Sequence, residues 1–232
     1  MTLCERSRRW RLAVACMCAL PTCALAPLDT TAAEPPTRLV LLLRHAEAAY
    51  VDAEGRPVAN TDLVGLTGHG VDQVRHLAEW LRALGMDRFD QWLVSPLPRA
   101  QQTARLLADG LGTAPVELRT VEALRELPPG DGAGVATSRA AALAELERLR
   151  LAGNWQTVLL VAHGGIHRAL LARALTGQEE RSVRAGLDNA CLHLLELRPD
   201  GEWLVRGSNL CPGGPVTGRP APGSVLAAPN RL

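Results

Sequence analysis

The sequence predicts an α/β sandwich: a mostly parallel sheet in the middle layer, with helices on both faces. Three observations carry this expectation. Short apolar runs alternate with amphipathic stretches between residues 39 and 175, the order expected of a parallel sheet with helical crossovers. Two of those runs, residues 39–43 and 158–161, are apolar without interruption, as strands buried on both faces are. The chain then closes on two alternating segments about a turn, an antiparallel hairpin.

Taken in order, Leu39-Val-Leu-Leu-Leu43 is the first strand. Thr67 is placed to cap a helix whose stripe is Val71, Val74, Leu77, Ala78, Leu81 and Leu84, recurring at three- and four-residue steps. Residues 92–94 form a second short strand and residues 100–111 a second helix. Residues 139–151 carry Leu143, Leu146 and Leu149, another helical stripe. Residues 158–161 are a buried strand, followed by a helix through Leu170 and Leu175. The hairpin pairs residues 191–197 with 202–206 about Arg198-Pro-Asp-Gly201.

The 232 residues fit one domain with appendages. Arg6, Arg8, Arg9 and Arg11 precede an apolar run over residues 12–20 that is too short to span a bilayer. Thr31-Ala32-Ala33 then offers the small residues that signal peptidase requires, whereas after Ala24-Leu25-Ala26 the cut would fall before Pro27. The expected organisation is a signal peptide over 1–33, a domain over 34–206 and an unstructured Pro/Gly-rich tail over 207–232. The protein is therefore expected to be exported, periplasmic or secreted. Lipidation at Cys23, in Leu20-Pro-Thr-Cys23, is the lesser alternative, Ser7-Arg8-Arg9 faintly resembles a twin-arginine signal, and a frayed start on a cytoplasmic protein is the plain one.

Four of the six cysteines lie in that leader, leaving Cys191 and Cys211. In an oxidising compartment two leftover thiols can pair. Folding about the turn brings residues near 209 opposite Cys191, so Cys211 is within reach; two unpaired thiols, one of them buried, is the equal alternative.

Composition excludes several chemistries. All 25 basic residues are arginine, which removes Schiff-base catalysis and the P-loop lysine. The net charge is +1 and aromatics are 3% of the chain, arguing against a basic nucleic-acid face or a stacking platform for single strands. Loss of residues 1–33 removes four arginines with Glu5 and Asp29, which puts acidic residues one ahead of basic ones. Any attraction for an anion must therefore be local.

In such a sheet, ligands collect beyond the carboxyl ends of the strands. After the first strand comes Arg44-His45-Ala46-Glu47, after the second Ser95-Pro-Leu-Pro-Arg99-Ala100, and after the strand at 158–161 comes His163-Gly164-Gly165. Two imidazoles and two guanidiniums thus converge on one crevice, a set that suits a phosphoryl dianion, because guanidinium forks match its oxygens and stay charged without water.

These pieces resemble the histidine phosphatase superfamily, which includes cofactor-dependent phosphoglycerate mutases and many small phosphatases. The resemblance rests on Leu42-Leu43-Arg44-His45-Ala46-Glu47, Leu66-Thr67-Gly68-His69-Gly70, Ser95 to Ala100 with Gln102-Thr103-Ala104, Leu124-Arg125-Glu126 with Gly130 and Gly134, and Val161-Ala162-His163-Gly164-Gly165. They stand in the family's order and spacing over residues 38–206. The resemblance implies a phosphoglycerate mutase-like fold and a metal-independent phosphomonoesterase without cofactor. His45 is then the nucleophile, Arg44, Arg99 and His163 the phosphate clamp, and Glu126 the acid that protonates the leaving oxygen and next activates water.

Glu122, four residues upstream of Glu126, is the alternative acid, because Pro128 and Pro129 replace the family's more usual neighbours. Ser95, Gly164 and Asn189 are secondary candidates, and Glu47 is read as orienting an arginine. His163 and His167 have the four-residue spacing of zinc ligands, but Gly164 and Gly165 intervene at the strand end, so no metal is expected. His167 is read as a surface or helix-packing residue, His69 and His76 as helix-surface residues and His193 as a strand residue.

Most of the stretch between Arg99 and His163 is needed for a strand, the acid loop and a helix, leaving no room for the mutases' basic insertion. The only tyrosine, Tyr50, is read as lying away from the acid, and Val51 stands where many mutases and sugar-phosphate phosphatases have Asn. A phosphatase is favoured over a mutase, acting on a small phosphorylated substrate, with no nucleic-acid partner and no stable membrane span. A phosphohistidine phosphatase and an envelope phosphosugar phosphatase are alternatives, and a phosphate-binding module without turnover is the reading from another class.

Overall fold

The computed structural model describes residues 37–113, 117–130, 132–178, 183 and 185–212. The leader with its four cysteines, and the tail beyond residue 212, lie outside the described residues. Six strands form one sheet: β1 (Arg38–Arg44), β2 (Gln91–Val94), β3 (Leu118–Thr120), β4 (Thr157–Ala162), β5 (Leu192–Leu197) and β6 (Trp203–Leu210). Their order is β3-β2-β4-β1-β5-β6, with the first four mutually parallel and β5 and β6 antiparallel. The helices are α1 (Gly68–Ala83), α2 (Pro98–Leu111), α3 (Ala133–Leu151) and α4 (Gly164–Thr176), with 3-10 turns at Thr61–Leu63 and Glu122–Leu124. No helix among the described residues is long and apolar enough to cross a membrane.

Alternation along the central strands builds two cores. Val40 and Leu42 of β1 with Val158 and Leu160 of β4 pack under α3 and α4, whereas Leu41, Leu43, Leu159 and Val161 pack under α1 and α2. All eight are essentially inaccessible to water, each stabilising the fold by about 1.5–3 kcal/mol. This explains why both strands are apolar at every position.

The sequence-derived elements stand with adjusted ends. Thr67 caps α1, its side chain accepting from Gly70 N at 2.9 Å. Leu84 falls at the α1 C-cap and is exposed, so it does not join the buried stripe. α2 starts two residues earlier than expected, with Pro98 in its first turn, a position where proline's missing N–H costs nothing. α3 starts at Ala133 rather than Arg139.

The closing hairpin needs the largest adjustment. β6 runs to Leu210, into the segment read as tail from Gly207. Near the turn Leu197 faces Trp203, but two register irregularities intervene and Leu192 faces Leu210. Bulges of this kind shift the pairing one residue at a time. They carry Cys211, rather than residue 209, opposite Cys191, and the two cysteines form a disulfide.

β1 and β4 are neighbours, yet the helices that follow them pack on opposite faces of the sheet. Divergent connections from adjacent parallel strands open a crevice at their carboxyl ends. Three strand ends, those of β2, β4 and β1, line it side by side.

Candidate active site

His45 follows β1 and is fully buried. Its backbone N–H donates to Ala162 O at 3.0 Å, and Ala46 N donates to Thr103 Oγ1 at 3.1 Å. His45 Nδ1 lies 2.8 Å from Ala46 O. A carbonyl only accepts, so Nδ1 carries the ring proton and Nε2 carries the lone pair. Nε2 is buried with no hydrogen-bond partner.

His163, the N-cap residue of α4, is also fully buried. Its ring centroid lies 5.1 Å from that of His45. Its Nε2 meets Ser95 Oγ at 2.7 Å. Its Nδ1 stands 3.3 Å from Glu126 Oε2, outside hydrogen-bonding geometry. Burial holds the His45 imidazole down at about 4 against the pull of the Ala46 carbonyl, with Arg99 and Arg44 pushing the same way as burial. Burial first, then His45 and the two arginines, push His163 lower still. Both rings are neutral at ordinary pH.

The first turn of α2 contributes Arg99, which is buried, donates through Nη1 to Thr61 O at 2.8 Å and lies 3.9 Å from Glu126 Oε2. Arg44, ending β1, donates through Nη1 to Leu187 O. The Nε atoms of both arginines are buried and have no partner among the described residues. Four unpaired polar atoms, two guanidinium and two imidazole nitrogens, thus come from the strand ends. A buried polar group without a partner is costly, and a bound oxyanion would satisfy the donors among them.

Glu126 follows the 3-10 turn at Glu122–Leu124 and enters the crevice beside Gly165. Burial is the largest influence on Glu126 and raises its pKa above the usual carboxylate range, against Arg99, the Gly165 amide, Arg44 and the Leu127 amide, which favour the carboxylate. A Cβ on Gly165 would come within 3.1 Å of Glu126 Oε1 and of Leu127 Cγ, so glycine keeps the place of the Glu126 carboxylate clear. Glu122 does not reach the two histidines; it is exposed, pairs with Arg125 at 2.5 Å and lines a cavity outside the crevice.

The sequence-derived set is otherwise brought together, with exceptions. Gly164 opens α4, its Cβ direction 3.9 Å from Arg44 Nε. Asn189 Nδ2 donates to His45 O at 2.9 Å, so it touches the backbone of His45. Glu47 departs from the expectation: among the described residues it meets no arginine, and it accepts from Thr67 Oγ1 at 2.9 Å at the start of α1. Its carbonyl explains Gly70, where a Cβ would fall 2.2 Å away. Of the two readings of His167, helix packing holds: it is fully buried on α4 and meets His193 edge-on, with centroids 5.4 Å apart. His69 and His76 are exposed on α1.

Tyr50 is the residue that sequence reasoning missed. Arg99 Cζ lies 5.6 Å from its ring centroid, a cation–π contact at the crevice mouth. Burial, opposed by Arg99, raises its phenol pKa. No motif marks it; its loop is folded back by Val58 N donating to Tyr50 O at 2.9 Å. Beside the crevice is a cavity of about 740 Å³ lined by Thr61, Arg99, Arg125, Glu126, Leu127 and Pro128, among others.

One ligating atom each from His45, Glu126 and His163 lie within 4.8 Å of one another. Two arginines at the same crevice repel a cation and attract an anion. Asp188 groups with Cys191 and Cys211 in the same way, but both sulfurs are committed to the disulfide.

Comparison with known proteins places this arrangement. A sequence model of the histidine phosphatase superfamily, branch 1, matches residues 40–145 and 127–210. The mitochondrial serine/threonine-protein phosphatase Pgam5 of Drosophila virilis is 27% identical over 191 residues, covering 73% of this chain and 62% of that protein. The chain thus spans less than two thirds of that relative's length. A 2,3-bisphosphoglycerate-dependent phosphoglycerate mutase of Methylorubrum populi is 39% identical over 70 residues, 30% of this chain and 32% of the mutase. Among solved structures, the protein histidine phosphatase SixA complexed with tungstate shares 25% identity at a TM-score of 0.55, covering 75% of this chain and 97% of that one. The α-ribazole phosphatase of Shigella flexneri superposes at a TM-score of 0.61 with 21% identity, over 74% of this chain and 96% of that one, a likeness of fold.

Proposed function

The chain belongs to the histidine phosphatase superfamily, branch 1, and on that premise we propose that it is a phosphomonoester hydrolase working through a phosphohistidine at His45. The observation that carries this reading is the buried, neutral His45 whose free lone pair, on Nε2, has no partner among the described residues.

In the first step Nε2 attacks phosphorus, an N–P bond forms and the ester P–O bond breaks. Glu126, whose raised pKa favours the protonated form, gives its proton to the leaving oxygen. Arg44, Arg99 and His163 hold the phosphoryl oxygens throughout. Leu97 N donates to Ser95 Oγ at 3.3 Å, leaving the serine hydroxyl to donate to His163 Nε2. That places the His163 proton on Nδ1, the atom beside Glu126. In the second step the Glu126 carboxylate takes a proton from water, the water oxygen attacks phosphorus and the N–P bond breaks. Phosphate leaves and both side chains regain their starting protonation.

The leaving group is assigned to the cavity beside Glu126, whose size fits a phosphosugar or a comparable small molecule. A phosphohistidine of a partner protein is the second reading, supported by the likeness to SixA. Export, from the basic and apolar N-terminal sequence ending at Ala33, is part of the proposal; mass spectrometry of the mature protein should find Glu34 as its first residue.

The purified protein should release p-nitrophenol from p-nitrophenyl phosphate, retain that activity in EDTA and carry acid-labile phosphate on His45 after quenching. Activity lost to the chelator, or an unchanged rate in His45→Ala, would overturn the mechanism. Oxyanion binding without release would leave a binding module. Kinetics on a panel of phosphosugars and a phosphohistidine peptide then separate the two substrate readings.

A further inference from the structure

Residues 187–191 make four kinds of contact with Arg44 and His45. Leu187 O accepts from the Arg44 guanidinium. Asn189 Nδ2 donates to His45 O at 2.9 Å. Ala190 N donates to Arg44 O at 3.2 Å and lies 3.4 Å from His45 O. Arg44 N, in turn, donates to Cys191 O at 3.2 Å. One short segment thus sets the backbone of the nucleophile and the fork of one phosphate-binding arginine.

Within the segment itself one turn hydrogen bond closes, Cys191 N donating to Asp188 O at 3.4 Å. The segment precedes β5 without belonging to a helix or strand. Ala190 sits at φ 55°, a left-handed conformation that alanine keeps only where its surroundings impose it. The ladder that follows is irregular, with register shifts between residues 192 and 195. Its outer partner, β6, is the edge strand.

The segment is held on its far side as well. Asp188 N donates to Asn209 Oδ1 at 2.8 Å, and Asn209 Nδ2 donates back to Asp188 Oδ2 at 2.8 Å. Asn209 is itself left-handed at φ 54°, its backbone N–H donating to His193 Nδ1 at 3.2 Å. Gly186 lies so close that a Cβ there would meet Asn209 Nδ2 at 2.7 Å. Two residues further on, Cys211 is bonded to Cys191. A two-sided amide clasp and a covalent bond therefore fasten the segment to β6 where hydrogen-bonded pairing is irregular.

We propose that the Cys191–Cys211 disulfide and the Asn209 clasp are a positioning device, holding residues 187–191 so that Arg44 and His45 keep their reactive arrangement, and that activity is consequently higher in the oxidised protein. This rests on the phosphatase reading above. Cys191 is buried, but both cysteines line a cavity of about 320 Å³ with Glu47, His69, Gln73 and His76, which gives a small reductant a route to the bond. Reduction by a dithiol breaks the S–S bond and adds two electrons and two protons, giving two thiols while the dithiol becomes a cyclic disulfide. Neither sulfur touches the substrate; both act through the backbone.

The test compares oxidised protein with protein reduced by dithiothreitol and desalted without air, at a temperature where circular dichroism shows both folded. Reduction should lower kcat/KM for p-nitrophenyl phosphate by roughly tenfold or more, the scale of effect that misplacing reactive groups has. It should weaken tungstate binding as well, because the Arg44 fork loses its setting, and reoxidation should restore both. Asn209→Gly, which keeps the left-handed backbone and removes the clasp, should shift both quantities in the same direction with the disulfide intact. A purely structural bond would lower the melting temperature but leave kcat/KM and tungstate affinity of the folded protein unchanged, and that result overturns the proposal. If the oxidised protein has no turnover, the phosphatase reading fails, and the tungstate affinities of the two redox forms still decide the positioning role.

Discussion

Two pairs of histidines are buried in this molecule, and only one shares a crevice with the charged groups of the proposed site. His45 and His163 lie 5.1 Å apart, centroid to centroid, and His167 and His193 lie 5.4 Å apart. All four rings are inaccessible to water, and burial is the largest influence lowering the pKa of every one of them. A depressed imidazole pKa therefore does not distinguish a catalytic pair from a packed one. The difference lies in the neighbours. The first pair shares its crevice with two arginines and a carboxylate of raised pKa. The second sits between α4 and β5, and its hydrogen-bond partners are Ser208 Oγ and Asn209 N, both on His193.

Exchanging single members of the reactive group tests that contrast most severely. His45→Ala should lower turnover of p-nitrophenyl phosphate by roughly 10⁴-fold or more and abolish phosphate trapping, as loss of a covalent nucleophile does elsewhere. Glu126→Gln should cost about 10²–10⁴-fold with an alkyl phosphate. The loss should be smaller with p-nitrophenyl phosphate, whose leaving group needs little protonation. Equal losses on the two substrates would show that Glu126 is not the acid. Arg99→Ala should cost on the order of 10²–10³-fold, as removal of one transition-state donor does, with tungstate binding weakened in parallel. Glu122→Gln, by contrast, alters an exposed pair with Arg125 at the wall of the neighbouring cavity; it should leave phosphate trapping on His45 intact and change turnover by no more than about fivefold, the scale of exposed ion pairs.

What the sequence made legible follows the same division. Arg44, His45, Ser95, Arg99 and His163 are readable because each stands at the end of an apolar strand or in the first turn after one, where position and chemistry coincide. Glu126 is readable only by resemblance; its loop has no period, and a neighbouring carboxylate competed for the role. Tyr50 was read as distant because its place is set by a loop that doubles back to the crevice. The expectation for Glu47 failed because charge suggests an arginine partner, while the local chain offers the Thr67 hydroxyl at the start of α1. The pairing of Cys191 with Cys211 depended on two bulges that no pattern of apolar residues announces.

The packed pair supplies the subtlest prediction. Burial holds His193 down at about 4 and His167 well below its ordinary 6.5, with His193, His45 and Arg44 also pushing His167 down. An unfolded chain protonates these rings near 6.5, whereas the folded chain does not. Below about pH 6.5 the unfolded state therefore binds more protons, and stability falls as pH drops toward the folded-state values. Each such ring contributes up to about 1.4 kcal/mol per pH unit in that window. His167→Leu removes one of them, together with two buried nitrogens that have no hydrogen-bond partner, whose loss removes a desolvation cost. Urea unfolding at about pH 7, 6 and 5 should show stability equal to or above wild type at the highest pH, with a shallower fall toward the lowest. Turnover at neutral pH should be unchanged. An equally steep fall would mean that His167 is protonated in the folded protein. A loss of turnover would mean that the second pair serves the reaction after all, and that neighbouring charge is not what separates the two pairs.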